Sequence, residues 1–339
     1  MRNMAATTST IATSDPRKGI AEIGHAVQGI WRGVLGTRDE APRALAAPHH
    51  TIDIALIGRV GYYADTSASG RPLVLLHAIS AAASAFDVRP LFEAFRGERP
   101  VYAPDLPGFG TSDRGPNQYS PTLYARAIER FLVDVVSPRD EPVDVVALSL
   151  TGEIAARVAV EHPTLFRTLT LISPTGLDRE PRKVDAARAT RIERALNVPL
   201  WATPMYRALT SRPSVRYFLR KSFADEVPRD YVDHAVRTSR VPGAHHAPFA
   251  FVAGSLFTSD ACATLYERLR VPTQVLYDRD PYTDFGRLEA LTQRNPAVHA
   301  RRIAGTRGMP HFERCEEVMR AMRDLEDDAR RGEGAQVRA

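Results

Sequence analysis

Three short runs constrain this chain more than any other feature: PLVLL at 72–76, VDVVAL at 143–148 and LTLIS at 169–173 are apolar almost without interruption. A strand with one wet face alternates apolar and polar residues, so runs of this kind are strands covered on both faces. Helix-length segments separate them: ASAFDVRPLFEAF after the first, Pro121 to Val136 before the second, and TGEIAARVAVEHP before the third. Strands that alternate with crossover helices make a parallel sheet with helices on its two sides. Further strand-like runs occur at TIDIALIG, GRVGYYADTS, RPVYAP, PTQVLYDRDP and AVHARRIAG. The expected fold class is α/β, a mostly parallel central sheet flanked by helices.

Between Leu177 and Arg270 the pattern changes to helices alone, read from VDAARATRIERAL, PMYRALTSRPSVRYFLRKSF, RDYVDHAVRTS and APFAFVAGSLF. An all-helical insertion between strands of one sheet reads as a lid. The division expected is a core of 51–176 and 271–330, a helical lid of 177–270 and a disordered tail of 331–339. Residues 1–50 form an extension, a Pro- and Ala-rich loop at 41–50 being its linker. Within it Ile20, Ile23, Val27, Ile30, Trp31, Val34 and Leu35 fall on one stripe of a helix. A stripe over 20–35 fits weak contact with a membrane surface, or packing against the main domain or a dimer partner. Monomer and homodimer are both open.

The formal charge of +5 comes from Arg spread along the chain, without Lys/Arg blocks interleaved with aromatics, so no nucleic-acid face is expected. Cys262 and Cys315 are too few for a disulfide framework or a metal cluster, and neither a metal nor a cofactor is implied. The first residues lack the basic start and apolar core of a signal peptide, and no run of about 18 apolar residues occurs. A cytoplasmic location is expected.

In an open parallel sheet, sites form beyond the carboxyl ends of the strands. That singles out His77 to Ser80, Asp105 to Gly110, Ser149, and Asp278 to Pro281. Ser149 stands where VVALSLTGE passes from strand to helix within two or three residues, a turn that holds its hydroxyl outward. Free N–H groups at the start of the following helix can hold a developing oxyanion. With LLHAIS, DLPGFGTSD, ALSLTG, VLYDRDP and PHFE in that order, residues 51 to 325 resemble the α/β-hydrolase superfamily, capped and esterase- or hydroxynitrile-lyase-like. The resemblance implies an α/β-hydrolase fold with Ser149 as nucleophile and Asp280 as the acid that orients a histidine. It further implies the backbone amides of Ile79 and Leu150 as oxyanion donors. His77 shapes the oxyanion loop and counts among the residues around the substrate.

The chain departs from the family pattern in several places. Ala147 and Thr151 replace both glycines of GxSxG, and Ala78 follows His77. In GTRGMPHFE, where the family writes GxGHxPHxE, Arg307 replaces a glycine and Gly308 stands in the place of the base. His311 is then either the general base, reached by a refolded loop, or the second histidine of the pattern, which packs or hydrogen-bonds at the start of the last helix. Arg307 demands an acid if buried, and Glu153 is odd one turn after the nucleophile. They either pair as a substrate anchor, or Glu153 pairs with Arg157 on the helix surface.

The function expected is cofactor-independent attack by Ser149 on an ester, thioester or lactone of a hydrophobic small molecule, with Asp280 and His311 completing a triad. The alternative keeps the pocket without hydrolysis, as a lyase, isomerase or cyclase of natural-product metabolism. A third reading is a non-catalytic ligand-binding protein.

Overall fold

The computed structural model describes residues 41–137 and 141–336, and the helix expected over 20–35 lies outside them. One sheet contains β1 (His49–Ile54), β2 (Gly58–Asp65), β3 (Leu73–Leu76), β4 (Val101–Pro104), β5 (Val143–Leu148), β6 (Phe166–Ile172), β7 (Thr273–Tyr277) and β8 (Val298–Arg302). Its spatial order is β1-β2-β4-β3-β5-β6-β7-β8. β2 is antiparallel to both neighbours, and the remaining pairs are parallel. Crossover helices α1 (Arg89–Phe95), α2 (Pro121–Phe131) and α3 (Thr151–Glu161) follow β3, β4 and β5. Between β6 and β7 the regular structure is helical throughout: α4 (Ala186–Leu196), α5 (Ala202–Leu209), α6 (Arg212–Ser222), α7 (Arg229–Thr238), α8 (His246–Ala253) and α9 (Ala261–Thr264), with a 3-10 turn at Tyr266–Arg268. Helices α10 (Leu288–Arg294), α11 (Pro310–Glu313) and α12 (Cys315–Gln336) complete the chain.

The unbroken apolar runs behave as their composition demands. Every residue of β3, β5 and β6 is buried, and successive side chains divide between two cores. Leu73, Leu75, Val146, Leu148 and Ile172 face one core, with residues of α1 and α12. Val74, Leu76, Val145, Ala147 and Leu171 face the other, with α2, α3 and α10. Each covered Leu or Val contributes about 1.5–3 kcal/mol relative to exposure, which is why a sheet wet on neither face selects apolar residues at every position. Register places the site: Leu76 pairs with Ala147, Leu148 with Ile172, and Ile172 with Leu276. The strands therefore end level, and their exit loops gather at one edge.

The opposite edge carries a buried charge cluster that the sequence patterns did not reveal. Asp144, at the start of β5, accepts from Arg167 Nε at 2.9 Å and from the Thr168 hydroxyl, and also pairs with Arg99. Arg99 in turn reaches Glu326 of α12 at 2.8 Å.

Two expected boundaries are corrected. The loop at 41–50 is not a free linker, because Ala44 and Leu45 are buried, the Ala44 N–H donates to the Tyr63 hydroxyl, and β1 begins at His49. The tail does not lose order at 331, since α12 runs to Gln336. Arg and Glu favour helix enough to outweigh Gly332 and Gly334 there.

Candidate active site

Ser149 lies between β5 and α3 with φ of 51°, in the left-handed region that a non-glycine residue adopts only when its surroundings force it. Two hydrogen bonds do the forcing. Its N–H donates to the Ile172 carbonyl at 2.9 Å, and its carbonyl accepts from the Gly152 N–H at 2.9 Å. The residue is half-buried, and its hydroxyl makes no hydrogen bond among the described residues. A short strand-to-helix turn thus holds an unengaged alcohol at the edge where the exit loops meet.

The side chains of Ile79 and Leu150 are buried, and neither backbone N–H has an acceptor among the described residues. Buried amides are almost always paired, so two unpaired ones on the loops beside Ser149 suit an oxyanion. These loops are tied together. The Thr151 hydroxyl donates to the His77 carbonyl at 2.7 Å, joining the first turn of α3 to the exit of β3. The residue that breaks the GxSxG pattern therefore supplies a link that glycine cannot. The signal available in the sequence was its hydroxyl.

His77 itself is corrected from a substrate-facing residue to a positioning one. Its ring is fully buried against Phe109. Nε2 accepts the Leu106 N–H at 2.8 Å, which leaves Nδ1 as the protonated nitrogen donating to the Ala78 carbonyl at 2.6 Å. Burial lowers its pKa. Asp105 orders the neighbouring loop in the same manner, accepting from the amides of Ala85 and Thr111 and from the Thr111 hydroxyl. Gly110, at φ of 49°, is required there because a Cβ would lie 1.9 Å from the Asp105 carboxyl carbon.

The acid and the base part company. Asp280, after β7, is half-buried, and its Oδ1 accepts the Tyr282 N–H at 2.7 Å. Burial pushes its pKa up to about 6, with Asp178 adding to the rise, and it has no cationic partner among the described residues. Asp278 cannot take over its role: Arg302 Nε and the amides of Gly305 and Thr306 already engage it. A Cβ built on Gly308 would lie 2.6 Å from Asp280 Oδ2. The carboxyl thus leans against the position where the family pattern has its histidine, and that position has no side chain.

The structure does not bring His311 to either Ser149 or Asp280. Its ring is fully buried, and Nε2 donates to the Asp87 carbonyl at 2.6 Å while Nδ1 has no partner among the described residues. Burial holds its pKa down to about 4, so the ring is neutral near pH 7. His311 stands at the start of the final helices, bonded to the turn carrying Asp87. Asp87 was not singled out in the sequence. It is fully buried, bonded by the Tyr231 hydroxyl of α7 at 2.8 Å, and pushed up to about 7 by burial.

Neither expected pairing of Glu153 is formed. Its carboxyl accepts from the Thr175 hydroxyl and from the Thr258 amide, the latter at 2.8 Å, and burial raises its pKa. Glu153 thereby fastens α3 to the exit of β6 and to the end of the helical segment. Arg157 reaches the Thr258 hydroxyl instead, and Arg307 donates only its main-chain N–H, to Glu313 at 3.0 Å. The Thr175 hydroxyl and the Thr258 amide take the two carboxylate oxygens of Glu153 instead. A cleft of about 670 Å³ lies elsewhere, between the loop after β4 and helices α4 and α8, where Tyr119, Glu193, Asn197 and His246 line it.

With this geometry in place, the comparison with known proteins is direct. Residues 73–321 match the alpha/beta hydrolase family, and the chain belongs to it. The 1-acylglycerol-3-phosphate O-acyltransferase ABHD5 of Rattus norvegicus is 29% identical over 153 residues, 44% of this chain and 40% of that protein, as is that of Mus musculus. The matched part thus spans about two fifths of the length of these curated relatives. Among solved structures, Cfl2 from Burkholderia cenocepacia superposes with a TM-score of 0.65 at 21% identity, covering 86% of this chain and 99% of that one. A membrane phospholipase A, described as a bacterial virulence factor, gives 0.64 at 19%, covering 91% and 92%. An esterase from Exiguobacterium antarcticum gives 0.64 at 16%, covering 82% and 98%. At these identities the likeness is one of fold.

Proposed function

We propose that the protein is a serine hydrolase of carboxylic esters or thioesters of hydrophobic small molecules, in which Asp280 serves as the proton acceptor in place of an imidazole. The observation that carries this reading is the forced, unengaged Ser149 beside the two unpaired amides of Ile79 and Leu150. A substrate carbonyl oxygen sits between those amides while Ser149 Oγ attacks the carbonyl carbon. The serine proton passes to Asp280 through a water in the space that a side chain at 308 would take. The alcohol or thiol then leaves with a proton, and water releases the acid. A carboxylate raised toward neutrality is a better base than an ordinary one, though weaker than imidazole, so turnover is slow. The helical segment between β6 and β7 acts as a lid, with Tyr206 of α5 bonded to the Ala81 carbonyl of the oxyanion loop at 2.7 Å. Arg307, free of Glu153, remains open to an anionic group on the substrate. The names of esterase and phospholipase neighbours agree with such substrates.

A fluorophosphonate should label the wild type and not Ser149→Ala, and hydrolysis of an activated phenyl ester should rise with pH through about 6 as Asp280 loses its proton. Gly308→His should raise that rate on the order of a hundredfold. Absence of labelling at every pH would sink the reading. It would favour the second one, for which the missing base is the specific observation: a lyase, isomerase or cyclase that uses the unpaired amides alone.

A further inference from the structure

One long stretch departs from the otherwise even mixing of charge along the chain. From Arg194 to Ala224 there is no Asp or Glu, while Arg194, Arg207, Arg212, Arg216, Arg220 and Lys221 all fall in that stretch. It comprises the last turn of α4, then α5, α6 and the turns around them. Arg212 pairs with Asp233 of α7, but Arg207, Arg216 and Arg220 are exposed and make no hydrogen bond or ion pair among the described residues.

The same two helices and the turn before them leave large apolar side chains in water. Leu200 is 81% exposed, Trp201 45%, Tyr217 57% and Phe218 41%, whereas α6 buries only Val215. The Lys221 ammonium lies over the Tyr217 ring, 4.5 Å from its centre. Scattered exposed apolar residues need no explanation, but aromatics interleaved with unpaired guanidiniums on consecutive short helices form a surface with one chemistry. Trp and Tyr have an apolar body and a polar tip, and Arg attracts phosphate. That combination fits the boundary between headgroups and acyl chains.

The surface adjoins the site. Ser222, the last residue of α6, has its Cβ 3.6 Å from where a side chain at 308 would begin. Tyr282, itself 51% exposed, lies close to Lys221 and Asp280. A molecule leaving a membrane at this face would therefore arrive next to Asp280.

We propose that the α5–α6 face docks on an anionic phospholipid bilayer, with Trp201, Tyr217 and Phe218 entering the interface and Arg207, Arg216 and Arg220 meeting phosphates. Charge complementarity selects this occupant over a neutral lipid surface, and the docking stands whether or not Ser149 is a nucleophile. Juxtamembrane cations act additively within a Debye length, so salt weakens the contact.

Co-flotation of the full chain with vesicles tests it. The protein should float with phosphatidylcholine vesicles containing phosphatidylglycerol at low salt and stay behind with phosphatidylcholine alone. Arg207→Ala/Arg216→Ala/Arg220→Ala should weaken the anionic binding on the order of a hundredfold, from about 1 kcal/mol for each charge removed. Tyr217→Ser/Phe218→Ser, also at exposed positions, should weaken it without altering its salt dependence. Absence of binding to anionic vesicles overturns the proposal, as does binding that both variants retain, which would put the contact elsewhere, residues 20–35 included. A dimer that the aromatic variant dissociates, with no vesicle binding, overturns it in favour of a second copy.

Discussion

Asp278 apart, which pairs with Arg302 beyond β7, the acids buried at the two edges of the sheet have different kinds of partner, and β5 spans both edges. At its start Asp144 is held by Arg167 and Arg99, and Arg99 is shared with Glu326. Glu326 there is pushed up by burial and by Asp144, yet it still faces both guanidiniums. At the other edge, beyond Ser149, the carboxyls of Asp87, Glu153 and Asp280 are engaged by neutral donors, and each has its pKa raised by burial. A paired acid contributes rigidity and little chemistry. An acid kept near neutrality without a cation can exchange a proton in the physiological range, at a cost in stability. The difference lies in whether a guanidinium faces the buried acid.

The comparison breaks most visibly at the paired edge. Asp144→Ala leaves two guanidiniums without their shared acid and should cost about 3–5 kcal/mol in urea unfolding. Loss of less than about 1 kcal/mol would mean that the cluster does not anchor the sheet. The unpaired edge should respond in the other direction. Asp87 has a folded pKa of about 7, against roughly 3.9 in an unfolded chain. Its contribution is fully present below the unfolded value and is lost as pH rises through about 7. Asp87→Asn keeps an acceptor for Tyr231 and removes that titration, so the variant should gain about 4 kcal/mol on the wild type between acid and mildly alkaline pH. Parallel melting curves of the two proteins across that range would contradict the assignment.

A smaller effect sharpens the picture at the serine itself. Thr151→Val removes the bond to the His77 carbonyl at nearly constant volume, and should cost about 1 kcal/mol of stability. It should also lower kcat with KM unchanged, whereas Thr151→Ser should restore both. Equal behaviour of the valine and serine variants would show that the hydroxyl does not position the oxyanion loop.

Much of the fold was legible because burial on both faces writes itself into local composition. PLVLL, VDVVAL and LTLIS became β3, β5 and β6, and the helical signals between Leu177 and Arg270 became α4 to α9. The turn at Ser149 was legible too, because so short a passage from strand to helix leaves few backbone paths. Legibility failed where a residue's partner lies far along the chain. His311 is bonded to Asp87, 224 positions earlier, and Glu153 to Thr258, 105 positions later. No periodicity encodes such distances.

The sequence by itself determined the sheet, its helical insertion, the sharp turn at Ser149 and the glycine at 308, since hydrophobic period, turn chemistry and motif order are properties of neighbouring residues. Tertiary structure decided that Asp280 leans on Gly308 without a cation, that His311 turns to a main-chain carbonyl and that Thr151 joins two loops. Those outcomes depend on how close separate segments come and which donor arrives first, and only packing of the whole chain sets that.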